Sequence, residues 1–228
     1  MNRSIITAAA AALFLATSTS ARAAETRYVA TYLEVKSVAI NAGAALTRQY
    51  VRATRAEAGN VGISAFQEIG RSNRFVVIET WTDSAALAEH EKAPHTVEFR
   101  QKLKSFHRSP YDQRVTHGFA VDPTPAVAGP NAVYVVTHVD VPGAQREDAE
   151  KVLGQLFQSR RAGAGHVRFD IYQQDDPRAN HFTMFVVWRS LRAFEDYADT
   201  PQWLQFREAL APLLGAPLDE RLYRPLGP

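Results

Sequence analysis

The feature that most constrains this chain is a duplication of about a hundred residues. Residues 55–67 read RAEAGNVGISAFQ and residues 161–173 read RAGAGHVRFDIYQ, which agree at 6 of 13 positions. The same shift superposes YVATYLEV (28–35) on YVVTHVDV (134–141). One more residue of shift then pairs Asn73 with Asn180, Trp81 with Trp188, Pro94 with Pro201 and Phe99 with Phe206. This period is too long for a solenoid, so two copies of one unit are predicted.

Each copy has the pattern of a mixed helix and strand unit. A strand rich in Val, Tyr and Thr opens it, and an amphipathic helix follows, with apolar residues at i, i+3, i+4 and i+7 in the second copy. Two further strands come next, then a helical region that Pro94 and Pro201 divide into two pieces, and a last short strand. The order is β-α-β-β-α-β, which predicts an α+β, ferredoxin-like fold for each copy.

Local signals predict where these elements begin and end. Gly59 and Gly165 are expected just past the first helix of each copy, at the C′ position that favours positive φ. Asp83 or Ser84, and Ser190 in the second copy, are expected to cap the following helix. The last strands are predicted near 114–119 and 220–224.

The domain organisation follows from these elements. The units are predicted at 26–120 and 131–226, joined by a Pro- and Gly-rich linker at 121–130. On the predicted strand 167–173 apolar residues alternate with a mixed set, so neither face is fully polar. We therefore expect the sheet of each unit to cover the sheet of the other, face to face within one chain.

The first residues predict export. Arg3 precedes the apolar run 5–16, and the stretch ends in Ala21-Arg22-Ala23. This is the pattern of a signal peptide spanning 1–23, cleaved before Ala24, so a periplasmic or secreted protein is expected. The run is shorter than the roughly 20 residues that a membrane span needs, and no second run of this kind follows, so membrane insertion is not predicted.

Charge and composition exclude several classes of function. Removing Arg3 and Arg22 leaves 24 basic and 24 acidic side chains, without the basic stripe that a nucleic-acid-binding protein uses. The absence of cysteine excludes thiol nucleophiles, iron–sulfur clusters and cysteine zinc sites. No nucleophile-elbow, P-loop or dinucleotide fingerprint occurs. In HEKAPH (90–95) the two histidines are five apart with a proline between them, so they cannot share one helical face as zinc-protease histidines do.

One segment of the first copy carries side chains that are able to act in acid–base chemistry. Residues 75–99 read FVVIETWTDSAALAEHEKAPHTVEF, with Glu79 and Trp81 on one strand face and His90 and His95 shortly after. This segment resembles the antibiotic biosynthesis monooxygenase family, which includes quinol monooxygenases and haem-degrading relatives within the dimeric α+β barrel superfamily. The resemblance implies that the two copies form within one chain the barrel that such proteins build as dimers, and further homodimerisation remains open.

The resemblance also implies a chemistry and a site. It implies oxygenation of a small aromatic substrate, a quinol or polyphenol, by O2 without a flavin, metal or other cofactor. A group near neutral pKa would deprotonate the phenol inside an apolar pocket. The candidate catalytic residues are His95, His90 and Glu79. The candidate substrate-binding residues are Trp81, Phe99, Tyr32, Phe66, His138, Tyr172 and Trp188.

Other interpretations of the same residues stay open. Trp81 would equally fill a core, Glu79 and His90 would equally be solvated, and His95 would equally cap a turn. In the second copy Val186, Tyr197 and Gln202 stand at the positions of Glu79, His90 and His95. That loss favours a non-catalytic periplasmic protein that binds a small ligand. A third alternative is haem binding, with His90 or His95 as the axial ligand.

Overall fold

The fold is described by a computed structural model that covers residues 25–123, 128–160 and 165–227. The predicted signal peptide lies outside the described residues, and so do residues 124–127 of the predicted linker. No helix among the described ranges is long and apolar enough to cross a membrane.

Both copies have the predicted order of elements. The first comprises β1 (Arg27–Glu34), α1 (Ile40–Thr54), β2 (Asn60–Glu68), β3 (Arg74–Trp81), α2 (Ser84–Lys92), α3 (Pro94–Lys104) and β4 (Asp112–Ala120). The second comprises β5 (Val133–Asp140), α4 (Arg146–Ser159), β6 (His166–Gln174), β7 (His181–Trp188), α5 (Leu191–Ala198), α6 (Pro201–Leu210) and β8 (Asp219–Pro225). The two prolines divide the second helical region as predicted, and each last strand is longer than predicted.

The eight strands form one closed antiparallel barrel in the order β1-β3-β2-β8-β5-β7-β6-β4. The two units join edge to edge, where β2 pairs with β8 and β4 pairs with β6. The prediction that the sheets cover each other is confirmed and made more specific. The sheets do not merely stack as open layers, because their edges also pair, and no strand in the described part of the chain has an unpaired edge.

The barrel divides the apolar residues into an inner core and two outer layers. The inner core contains side chains from both units, including Tyr32, Phe66 and Ile78 with Tyr172 and Phe185. The outer layers lie between the sheet and the helices of each unit separately. Aromatic pairs related by the duplication lie across both seams, since Tyr28 stacks on Tyr172 at 4.4 Å and Phe66 contacts Tyr134 at 4.3 Å between ring centroids.

The glycines of the repeated AG dipeptide have a different role from the one expected. Gly59 and Gly165 do have positive φ, at 81° and 94°, but each lies directly before a strand, and α1 has already ended at Thr54. A Cβ on Gly59 would lie 2.5 Å from the Cβ of Ala86, and one on Gly165 would lie 2.8 Å from that of Ala193. Only glycine meets both the backbone requirement and this close approach of the next helix.

Helix starts follow the predicted capping residues. Asp83, and not Ser84, caps α2 by accepting a hydrogen bond of 2.8 Å from the backbone N–H of Ala86. Ser190 caps α5 in the same way at 3.2 Å. The side chain of each cap satisfies a backbone donor that has no partner within the helix.

His138 titrates inside the barrel and predicts a pH dependence of stability. Its ring is 4% exposed, lies edge-on to Tyr32, and has Nδ1 3.2 Å from the hydroxyl of Thr183. Burial lowers the pKa of His138 to about 4. The charged groups that act on it are Arg114, Asp219, Asp140 and Arg221.

We expect stability to fall as the pH is lowered from about 6.5 to about 4, because the unfolded chain then binds a proton at position 138 that the folded chain does not. The full loss from this residue is about 3 kcal/mol. Urea unfolding of the native protein and of His138→Gln across this range measures it, since the variant lacks the titrating group. Identical slopes in both proteins would contradict the assignment.

A buried polar chain as candidate active site

Six side chains of the first unit form a continuous polar chain between the sheet and its helices. The Trp81 indole N–H donates to Glu79 Oε2 at 3.0 Å, and Tyr50 Oη lies 3.0 Å from Glu79 Oε1. His90 Nε2 lies 2.8 Å from Tyr50 Oη. On its other side, His90 Nδ1 lies 2.6 Å from Glu57 Oε1, which is also 2.9 Å from His95 Nε2. We call this set the polar chain; its members are Trp81, Glu79, Tyr50, His90, Glu57 and His95.

Five different elements supply the polar chain. Glu79 and Trp81 lie two apart on β3 and so share its helix-facing side. Tyr50 is on the inner face of α1, and Glu57 is in the turn that follows. His90 is in the last turn of α2, and Pro94 begins α3 because a proline N1 needs no N–H partner. The break between the helices brings the His90 and His95 rings to 5.9 Å between centroids.

Exposure falls from the outer to the inner end of the polar chain. The side chains of His95 and Glu57 are 27% and 20% exposed, whereas those of His90 and Glu79 are 0% exposed. Burial raises the pKa of the Glu79 carboxyl, and His90, Trp81 and Tyr50 oppose this effect by stabilising the carboxylate. Burial also raises the pKa of Tyr50. Burying a carboxylate costs free energy, and the hydrogen bonds and charges of its neighbours offset part of that cost.

The second unit shows that the fold does not require these polar groups. By sequence, Leu156, Val186 and Tyr197 stand where Tyr50, Glu79 and His90 do, and all three are buried in an apolar layer. Trp188 repeats Trp81, and neither its indole N–H nor the Tyr197 hydroxyl has a hydrogen-bond partner among the described residues. Without a carboxylate at residue 186, the indole N–H of Trp188 has no acceptor among the described residues.

The structure brings together only part of the predicted site. The three predicted catalytic residues, with Trp81 and Phe99, lie in the outer layer of the first unit, where Phe99 stacks on Tyr50 at 4.2 Å. Tyr32, Phe66, His138 and Tyr172 face the barrel interior, on the other side of the sheet. Trp188 is in the outer layer of the second unit. The alternative that Glu79 and His90 are solvated is wrong, because both are fully buried.

A large cavity opens at one end of the barrel, apart from the polar chain. It has a volume of about 780 Å³, and Phe66, Tyr172 and Tyr28 are among its aromatic walls. Ile78 and Thr80 of β3 line it, so Glu79 between them points to the opposite face. Asp170 is fully buried beside this cavity and accepts a hydrogen bond of 2.7 Å from Tyr172. We call this space the barrel-mouth cavity.

The polar chain reaches the surface at a narrow groove between α1 and α3. The groove has a volume of about 30 Å³, enough for about one water molecule. Its walls are Leu46, Gln49, Tyr50, Ala53, His95, Glu98, Phe99 and Lys102. We call this space the α1–α3 groove; it is where His95 meets solvent.

Two members of the polar chain were not predicted from the sequence, and the contact between His90 and His95 was not predicted either. Tyr50 and Glu57 carry no motif, but in the second copy leucine and glycine stand at their positions, so a comparison of the two copies for lost polar groups would have found them. The spacing of HEKAPH correctly indicates that the histidines do not share one helical face. They come together nevertheless, because they lie on two helices.

Comparisons with known proteins agree with this architecture. A family model described as antibiotic biosynthesis monooxygenase matches residues 26–102 and again 132–209. The YcnE protein of Bacillus subtilis (strain 168), named provisionally as a monooxygenase, is 32% identical over 81 residues, which is 36% of this chain and 85% of that protein.

Two solved structures are similar along most of the chain. One, from Fusobacterium nucleatum, has a TM-score of 0.77 at 14% identity and covers 90% of this chain and 94% of that one. Another, from Lactobacillus acidophilus, has a TM-score of 0.69 at 14% identity and covers 89% of this chain and 95% of that one. Both are described provisionally as monooxygenases, and at this identity they show the shared fold.

Proposed function

The chain belongs to the antibiotic biosynthesis monooxygenase family, and from this premise we propose that it oxidises a quinol or polyphenol with O2. The family and the relative with 32% identity support a monooxygenase-type function in general. In the proposed reaction a hydroquinone ring and O2 give a hydroxyquinone and water. One oxygen atom enters the ring, the other leaves as water, and the substrate supplies all the electrons, so no cofactor is required.

The observation that supports this proposal is the hydrogen-bonded path through Glu79, Tyr50 and His90. With Glu79 ionised, Tyr50 donates to Glu79 and His90 Nε2–H donates to Tyr50. With Glu79 protonated, its O–H donates to Tyr50, and Tyr50 donates to His90 Nε2. His90 Nδ1–H donates to Glu57 in both arrangements, so they contain the same number of protons and differ by one hop along each bond. Uptake of a phenol proton starts from a state with one proton fewer, in which Glu79 is ionised and His90 carries a hydrogen only on Nε2. The proton passes from His95 through Glu57 to His90 Nδ1, and the hops just described then place a proton on Glu79.

We place the substrate ring at the α1–α3 groove, against His95 and Phe99. His95 is the solvent-facing end of the polar chain and would accept the phenol proton, while Phe99 and Tyr50 offer apolar surface for the ring. The groove must widen for a ring to enter, and the half-exposed side chains along it allow that movement. The haem alternative gains no support here, because a porphyrin would require far more widening of the groove beside His95 than a single ring does.

A non-catalytic binding function is the second candidate, and one observation favours it. The barrel-mouth cavity is about 780 Å³, within the range of ligand pockets, yet it is separated from the polar chain by the sheet. A protein that only holds an aromatic ligand would use this cavity and would not need the polar chain. The second unit shows that an apolar layer replaces the polar chain without loss of the fold, so the binding hypothesis leaves the buried carboxylate unexplained.

Oxygen uptake tests the proposal. The protein is recovered from the periplasmic fraction, where its first residue is expected to be Ala24 by mass spectrometry, and is assayed in EDTA with a panel of quinols and polyphenols. We expect one substrate class to consume one O2 per ring and to incorporate one labelled atom from ¹⁸O2. Saturable binding of the same compounds without any uptake would favour the binding function, and Met1 on protein from the periplasmic fraction would contradict cleavage before Ala24.

A further inference from the structure

The outer end of the polar chain has the donor set of a metal site. Glu57 Oε1, His90 Nδ1 and His95 Nε2 all lie within 4.8 Å of one another. We propose that Glu57, His90 and His95 bind a divalent transition-metal ion of the zinc or iron(II) class. The proposal rests on these contacts and on the groups behind them, and it does not depend on the proposed oxygenation.

The chemistry of the donors selects the class of ion. Two imidazole nitrogens with one carboxylate oxygen are the ligands of catalytic zinc sites and of non-haem iron(II) sites, each of which keeps a position open to solvent. Calcium and magnesium prefer sets of oxygen ligands. The partial exposure of Glu57 and His95 leaves a path for an ion to enter and for water to complete its coordination.

The two distances to the Glu57 carboxylate require only a small adjustment, and the two imidazole nitrogens lie within 4.8 Å of each other. Donors of a tetrahedral zinc site are about 3.3 Å apart. Glu57 Oε1 is now 2.6 Å from His90 Nδ1 and 2.9 Å from His95 Nε2, as expected for hydrogen bonds between these atoms in the absence of an ion. Glu57 is in the turn between α1 and β2 with its side chain partly exposed, so its carboxylate can withdraw by the few tenths of an ångström needed.

The groups behind His90 are those that orient a metal-bound histidine. Such a histidine donates its other N–H to an acceptor that fixes the ring and its tautomer. His90 Nε2 meets Tyr50 Oη at 2.8 Å, and Tyr50 in turn meets Glu79 Oε1 at 3.0 Å. His90 is fully buried, so its ring is held with Nδ1 towards Glu57 before any ion binds. This is a preorganised ligand, which a chance pair of surface histidines would not provide.

The second copy lacks the whole donor set. Gly163, Tyr197 and Gln202 stand at the positions of Glu57, His90 and His95 in the sequence. One ion per chain is therefore expected at this place. An ion would also displace the proton of His90 Nδ1, so metal binding and proton passage along the polar chain exclude each other; this consequence alone rests on the proposed function.

The test uses the full protein without a histidine tag, stripped with EDTA and dialysed. Calorimetric titration with Zn²⁺ is expected to give one site per chain, and Co²⁺ is expected to give a visible absorption band that Zn²⁺ removes. Mg²⁺ and Ca²⁺ are expected to give neither signal. His95→Gln introduces the residue of the second copy at a part-exposed position, and Tyr50→Phe removes only the hydroxyl behind His90.

Both variants should lower zinc affinity. Tyr50→Phe should weaken it by about 10–100-fold, the usual cost of losing an outer partner, and His95→Gln by at least as much. His181→Ala is the matched control, because His181 Nδ1 lies 2.7 Å from Asp140 but this pair forms no three-ligand group among the described residues. The zinc affinity of this variant should equal that of the native protein. No saturable zinc binding, or equal affinity in His95→Gln and the native protein, would overturn the proposal.

Discussion

Replacing His95 with alanine is expected to lower the rate of quinol oxygenation by about 10²–10⁴-fold, the usual contribution of a positioned acid–base group. His95 is the most exposed member of the polar chain and lines the α1–α3 groove, so its loss separates the buried proton path from a substrate there. The measurement is kcat/KM from oxygen uptake, made in EDTA so that metal binding does not contribute.

Gln202→Ala is the matched control for this change. Gln202 occupies the same place in the second copy, where its side-chain amide donates to Ser159 Oγ at 2.9 Å on the surface. We expect its rate to remain close to that of the native protein. Thermal unfolding of both variants is measured beside the rate, because loss of folding would imitate loss of chemistry. Similar small effects at both positions would show that His95 has a structural role, and the binding function would then be favoured.

Replacing Glu79 with alanine is expected to lower the free energy of unfolding by about 3–5 kcal/mol, the range found when one partner of a buried ionic network is removed. The change leaves the Trp81 indole N–H buried without its acceptor and removes one of the two partners of the Tyr50 hydroxyl, which keeps His90. It also leaves a void at a position that is fully buried. Urea unfolding at neutral pH measures the loss.

Two controls separate the causes of this loss. Glu79→Gln keeps the volume and one acceptor oxygen, so its cost should be clearly smaller. Val186→Ala makes a void at the equivalent position of the second unit, where no hydrogen bond to residue 186 is broken, and should cost about 1–3 kcal/mol. If Glu79→Ala proves as stable as the native protein, the buried carboxylate contributes nothing to folding, and its retention would reflect function alone.

The elements of each unit could be predicted from the sequence because their signals are local. The duplication predicted that both halves contain the same helices and strands in the same order. Pro94 and Pro201 each divide a helical region at the expected place. Ser190 was identifiable as a cap from its side chain alone, whereas the choice between Asp83 and Ser84 was left open and the structure decided for Asp83. Gly59 and Gly165 were rightly expected at positive φ, but their close contact with Ala86 and Ala193 depends on a helix some 27 residues further along the chain.

The candidate site was predictable only in part, because its members are distant in sequence. The segment 75–99 indicated Glu79, His90 and His95, and the structure joins these three within one polar chain. Tyr50 and Glu57 were missed, since neither lies in a motif. Tyr32, Phe66, His138 and Tyr172 were predicted as substrate-binding residues of the same site, but they lie on the other side of the sheet, because these four strand residues face the barrel interior.

By itself, the sequence determined two α+β units, the order of their elements and their family resemblance, since periodicity, turn residues and repetition record what each short segment requires of its own backbone. The barrel expected from the family resemblance is confirmed, but only the tertiary structure decided which strands close it, β2 with β8 and β4 with β6, and that Glu57 meets His90 across 33 residues of sequence. Those contacts depend on how the whole chain packs. Burial and hydrogen bonding between segments that are distant in sequence determine them, and such contacts produce no periodic pattern in the sequence.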